Sequence, residues 1–92
     1  MYTLRIEHAV PDFDAWKKAF DSDPVGREKA GVRRYTVFRP VDDRKCVLID
    51  LEFEAIGQAE AMLAALRRLW GRVEGQVMMN PTTRILEAVE SR

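Results

Sequence analysis

"YTLRIEHAVPDFDAWKKAF", residues 2–20, changes its apolar period in mid-course, and that change decides the fold. Over its first half the side chains alternate. Tyr2, Leu4, Ile6 and His8 fall on one side and Thr3, Arg5 and Glu7 on the other, the two-residue period of a strand with unlike faces. Pro11 ends the strand. Asp12 is then placed to cap a helix on which Phe13, Trp16 and Phe20 recur at helical spacing, while Asp14, Lys17 and Lys18 point outward.

Outward from this junction the same two periods divide the rest of the chain. "DSDPVGREKAG", residues 21–31, stops the first helix. Asp23 before Pro24 suits a cap with proline at the first helical position, and Gly31 suits a left-handed closing residue, so a short helical turn is predicted over 24–30. "VRRYTVFR" (32–39) and "CVLIDLEFE" (46–54), rich in β-branched and aromatic residues, form a hairpin about the polar turn "PVDDRK" (40–45). In its second strand Val47, Ile49, Leu51 and Phe53 make one apolar face, and Leu48, Asp50 and Glu52 share the other. Residues 57–73 predict a helix. Ala59, Met62, Leu63, Leu66, Leu69, Trp70 and Val73 form its stripe, Glu60, Arg67, Arg68 and Arg72 lie mostly off it, and Gly75 is placed to close it. After the loop "QVMMNPTT" (76–83), "RILEAVE" (84–90) reads as the final strand.

The order β-α-β-β-α-β predicts one α+β domain over residues 1–92: a ferredoxin-like sandwich, with both helices on one face of a four-stranded antiparallel sheet of order 4-1-3-2. The sheet's other face is left bare by its own chain. Its composition is mixed, with Leu48 among Arg5, Glu7, Asp50 and Glu52, whose opposite charges can pair across neighbouring strands. A chain of 92 residues buries only about 60% of its unfolded surface, so a second copy on this face would add to a thin core. A homodimer through the open sheet face is expected.

Fifteen basic and fifteen acidic residues cancel, which leaves no long-range field to hold nucleic acid or an anionic membrane. No apolar run approaches the roughly 20 residues of a membrane span, and no signal peptide precedes "MYTLRIEH". The single cysteine, Cys46, can form neither an internal disulfide nor a cysteine cluster, and a reducing cytoplasm is the expected location. "DPVGREKAG" lacks the strand register and the Lys-Ser/Thr ending of a phosphate loop. Ser22 and Ser91 have no histidine placed to activate them, and Cys46 has no adjacent base. His8 or Cys46 alone gives too few ligands for zinc, so no metal and no cofactor are expected. The arginines of "VRRY" and "LRRLWGR" are read as solvated or ion-paired rather than as an anion site.

A strand ending in His8-Ala9-Val10-x-Asp12-Phe13-Asp14-Ala15-Trp16, the start Gly31-Val32-x-x-Tyr35, the hairpin Arg39-x-x-Asp42-Asp43 and the strand Leu51-Glu52-Phe53 resemble the small dimeric α/β-barrel proteins over nearly the whole chain. That superfamily includes antibiotic-biosynthesis-monooxygenase-like enzymes, polyketide cyclases, muconolactone-isomerase-like proteins and haem-degrading monooxygenases. This sequence is most similar to a short cyclase-like branch of unassigned function. The resemblance implies two sheets packed face to face in a homodimer, with any ligand held between a subunit's sheet and its helices. Haem-degrading members place an asparagine on the first strand and a tryptophan and a histidine on or near the second helix. Here His8 stands on the first strand, Trp70 is near the end of the second helix and no histidine follows, which departs from the haem pattern. Cofactor-free monooxygenase members hold a phenolic substrate with polar aromatic residues and a tryptophan, types that Tyr35 and Trp70 supply.

By parity His8 faces the helices at the end of its strand, where a cavity beneath them would open. Its imidazole has three readings: a structural group bonded to a backbone carbonyl or to Asp12 or Asp14, a general base or ligand-orienting group titrating near neutrality, or a metal or haem ligand. Trp16 and Trp70, beside Met62, Met78 and Met79, either fill the core or line an aromatic-binding cleft. The candidate ligand-binding set is therefore His8, Trp16, Tyr35 and Trp70, with His8 the candidate catalytic residue. Two functions follow from it: a dimeric module that binds a metabolite or a partner without catalysis, or a cofactor-independent monooxygenase, cyclase or isomerase acting on an aromatic or polyketide-like molecule. An open cavity among these four residues would favour a small-molecule ligand; a filled core would not.

Overall fold

Alternation in the first strand becomes burial on one side of a sheet. In the computed structural model, which describes residues 1–73 and 78–92 with Val73 by its backbone alone, β1 (Tyr2–Ala9) buries Leu4, Ile6 and His8 and exposes Arg5 and Glu7. The chain continues through α1 (Phe13–Asp21), β2 (Arg34–Phe38), β3 (Cys46–Phe53), α2 (Ile56–Val73) and β4 (Met79–Glu87). The strands pair antiparallel in the order β2-β3-β1-β4, which is the expected ferredoxin-like sequence of neighbours. Val47, Ile49, Leu51 and Phe53 of β3 join Leu4 and Ile6 beneath Trp16 of α1 and Ala59, Met62 and Trp70 of α2. Phe13, Phe20, Leu63 and Leu66 pack against this core while only partly buried.

Both helices begin as their residues dictate. The Asp12 carboxylate accepts the Ala15 N–H at 3.3 Å from an extended backbone, as an N-cap does, and Asp14 in the first turn and Lys18 in the last complement the helix dipole. At the start of α2, the Gln58 side chain accepts the Ala55 N–H at 3.2 Å, which is the reciprocal arm of a capping box. The expected closing residue of this helix, Gly75, and the first residues of the following loop lie outside the described residues.

Two expectations are corrected. The helical turn expected over 24–30 is confined to its second half, where the Ala30 N–H bonds to the Gly26 carbonyl, and Asp23 is not an extended cap: its φ is +54°. From that left-handed position its carboxylate accepts the Arg27 N–H at 2.9 Å. The closing role of Gly31 does hold. Its φ is +98°, its N–H bonds to the Glu28 carbonyl, and the Val32 N–H reaches back to the Arg27 carbonyl, the paired bonds of a Schellman closure. The last strand also starts earlier than residue 84. β4 begins at Met79 and runs through Pro81, because it is an edge strand and its pairing with β1 is irregular there, so a missing N–H costs no ladder bond.

On the outer face Arg5 lies opposite Asp50, and Arg34 opposite Glu52, each closing an ion pair in register. Beside them Phe38 pairs with Leu48 and stands 48% exposed, so the bare face is more apolar than Leu48 alone implies.

Candidate functional site

The inner face is not filled. A cavity of about 280 Å³ opens between the sheet and the two helices, with Ile6, His8, Ile49 and Leu51 from the strands, Trp16, Ala19 and Phe20 from α1, and Met62, Leu66, Leu69 and Trp70 from α2. Met78 closes one side, and Ser22, Pro24, Val25 and Arg27 form the rim beyond α1. The wall is almost wholly apolar. Among the described residues His8, Ser22 and Arg27 bring its polar side chains, and no carboxylate lines it.

His8 reaches the cavity because it is the last inward residue of a central strand. The register between β1 and β4 shifts between Glu7 and Ala9, so His8 pairs with Val47 of β3 and has no in-register partner on β4. The extra residue lies on β4, where Asn80 takes a φ of +55° next to Pro81. An irregularity of this kind bends a strand and re-aims its neighbours. The ring is 3% exposed and its Nδ1 lies 3.1 Å from the Ala9 carbonyl. A carbonyl only accepts, so Nδ1 carries the proton in this bond and Nε2 keeps its lone pair. Burial holds the imidazole pKa below its ordinary 6.5 and outweighs the opposing effect of the Ala9 bond. His8 is thus a neutral acceptor at the wall of an apolar space. Of the anchors expected for it, the backbone carbonyl is the one found.

An aromatic row leads away from it. The His8 and Trp16 rings are 5.6 Å apart at 60°, Trp16 and Phe20 stack at 5.1 Å and 26°, and Phe20 meets Tyr35 edge-on at 5.4 Å. The Arg27 guanidinium lies over both Phe20 and Tyr35, 4.0 and 4.8 Å from the ring centres. The fold therefore brings His8, Trp16 and Trp70 to one cavity but leaves Tyr35 outside its lining. Tyr35 sits on the edge strand β2, half exposed, behind Phe20. Met62 and Met78 line the space and Met79 does not. Sequence reading missed Arg27 and Ser22. Both lie in the turn segment, where no periodicity assigns a side chain to the interior.

Other chemistry stays remote. Cys46 opens β3 next to Glu7, with Sγ 3.9 Å from a carboxylate oxygen. Burial, followed by the charges of Glu7 and Asp43, raises its pKa, which keeps the thiol protonated and a poor nucleophile. Among the described residues no cluster of three metal-ligating side chains occurs. None of the described helices is long and apolar enough to cross a membrane.

No family model and no curated protein matches this chain. Solved structures do. A dimeric ferredoxin-like protein from an uncultured marine organism aligns over 99% of this chain and 97% of its own, at 15% identity and a TM-score of 0.68. SnoaB, a cofactor-independent oxygenase from Streptomyces nogalater, aligns over 98% and 94%, at 16% identity and 0.69. Rv0793 from Mycobacterium tuberculosis aligns over 99% and 98%, at 12% identity and 0.70. The architecture is therefore the ferredoxin-like α+β fold seen in dimeric ferredoxin-like and antibiotic-biosynthesis-monooxygenase-like structures. At such identities the likeness carries the fold and leaves the chemistry to the site.

Proposed function

We propose that this chain is a small-molecule-binding protein that works as a homodimer and holds one aromatic ligand between its sheet and helices. One observation carries the reading: an apolar space of about 280 Å³ that ends at a buried, neutral histidine. Its size is near the lower end of ligand pockets, about 300 Å³, enough for a fused two-ring molecule. Trp16 and Phe20 offer faces for stacking, and His8 Nε2 can accept a hydrogen bond from a ligand hydroxyl.

The outer face supports the dimer. Leu48 and Phe38 form an apolar strip beside two ion pairs closed within one copy, Arg5–Asp50 and Arg34–Glu52, which a second sheet could cover at less cost than lone charges, while Glu7 and Arg84 on the same face would need partners from the second copy. A single-domain homodimer in a reducing cytoplasm, with Cys46 as its unpaired thiol, completes the reading.

Calorimetric titration with 1-naphthol tests it. The wild type should bind; Ala19→Trp, which puts an indole into the cavity, should not. Equal binding by both would place the ligand elsewhere.

A second reading, a cofactor-independent monooxygenase, cyclase or isomerase, is favoured by the unprotonated Nε2, which could take a proton from a phenolic ligand. A bound phenol consumed by the wild type and not by His8→Ala would support it over simple binding.

A further inference from the structure

The cavity has an electrostatic direction. His8 at one part of the wall is neutral, while the one charged side chain among the described lining residues, Arg27, belongs to the rim. Arg27 also lines a second, open cleft of about 400 Å³ with Asp23, Glu28, Arg33, Arg34 and Tyr35. One guanidinium thus stands in the partition between an apolar interior and a polar cleft.

That guanidinium is held in advance. Phe20 and Tyr35 fix its plane, Nη1 donates to the Phe20 carbonyl at 2.8 Å, and Asp23 lies 3.6 Å from the same nitrogen. An arginine has five N–H donors, and among the described residues the side chain makes one hydrogen bond, from Nη1 to the Phe20 carbonyl, with Asp23 beyond hydrogen-bond distance. The Nε and Nη2 donors remain for a ligand. Arg33 and Arg34 are committed elsewhere, to Glu54 and Glu52.

We propose that Arg27 is the anion-recognising residue of this cavity and that the natural ligand is an aromatic acid, its rings in the apolar space and its carboxylate on the Arg27 donors. The inference rests on the cavity reading above and narrows it from aromatic molecules to anionic ones. A carboxylate matches a planar fork that stacking has already ordered, so little rotamer freedom is lost on binding. Asp23 competes for the same charge. Since its carboxylate is also tied to the Arg27 N–H, it stays in place and tempers affinity without closing the site.

Calorimetric titration with 1-naphthoate and its neutral counterpart 1-naphthamide separates the two claims. The wild type should bind naphthoate about tenfold more tightly, as one charge-assisted bond allows, and that preference should shrink between about 20 and about 500 mM salt. Arg27→Gln should remove the preference, lowering naphthoate affinity about tenfold more than it lowers naphthamide affinity. Asp23→Asn keeps an acceptor for the Arg27 N–H and tolerates the left-handed backbone, so it should strengthen naphthoate binding alone, by about twofold or more. Equal wild-type affinities for the two probes, unaffected by salt, would overturn the role of Arg27 while the cavity stands. Failure of both probes to bind the wild type would overturn both.

Discussion

Arg5 of β1 and Asp50 of β3 face each other across the ladder and close a two-point ion pair, Nε and Nη2 each 2.8 Å from a carboxylate oxygen. The pair matters for what could cover it. A bidentate pair satisfied within one copy can be buried by a second sheet at far less cost than a lone charge. With Phe38 and Leu48 paired in the neighbouring register, the outer face combines an apolar strip with two closed ion pairs, and a self-interface of at least about 1,000 Å² is expected there.

Leu48→Glu should accordingly place an unpaired carboxylate in that interface and raise the dimer dissociation constant by about tenfold or more. Lys18→Glu, on an exposed position of α1, should not. Sedimentation equilibrium at micromolar protein measures both. A wild type that sediments as a monomer ends the idea, and equal effects of the two changes would move the interface to another surface.

The inner face predicts unequal costs for two truncations. Phe53 is wholly buried at the centre of the core, so Phe53→Ala should lose about 3–5 kcal/mol of unfolding free energy. Leu66 is partly buried and borders space that is already empty, so Leu66→Ala removes fewer contacts and should cost about 2 kcal/mol or less. Urea melts with a common slope would establish the order. The reverse order would mean that the cavity is collapsed in solution.

These elements were legible because each rests on a local rule. The period of Leu4, Ile6 and His8, the cap at Asp12 and the stripe of α2 are set by nearest neighbours in sequence, and they place β1 and both helices. The turn segment was not legible. A left-handed Asp23 is chosen by the bond from its side chain to the Arg27 N–H, which competes with the helix that Asp-Pro suggests. Likewise Pro81 reads as a loop residue until β4 is known to be an edge. Arg27 became visible only once Phe20 and Tyr35, far apart in sequence, were seen to flank it.

Two local devices predict contrasting losses. Asp12→Ala removes an exposed cap whose bond is long, and should lower stability by about 0.5–1 kcal/mol. Gly31→Ala meets two obstacles: a φ of +98° and a Cβ that would lie 2.6 Å from Gln58 Nε2. Gln58 would have to swing away and give up its bond to the Ala55 N–H, so this change should cost more, about 1–2 kcal/mol. Thermal melts of both variants settle the ranking, and a harmless Gly31→Ala would show that the Schellman closure at this turn is dispensable.

The buried imidazole gives the last prediction its sign. His8 is neutral in the folded chain because burial lowers its pKa, whereas in the unfolded chain it titrates near its ordinary value of about 6.5. Below that value the unfolded state binds the extra proton and the folded state does not, so stability falls as pH falls, starting near 6.5 and levelling off once the pH drops below the folded pKa. Above about pH 7 both states are neutral and the full stability is present. His8→Asn keeps a donor for the Ala9 carbonyl and removes the titration. The difference in unfolding free energy between wild type and variant, followed from about pH 7.5 down to about pH 5, should therefore shift steadily in favour of the variant as acid is added. Effects of other titrating groups cancel in this difference. A flat difference would mean that the ring takes up its proton as readily in the folded state as in the unfolded one, and His8 would then not be a buried neutral acceptor.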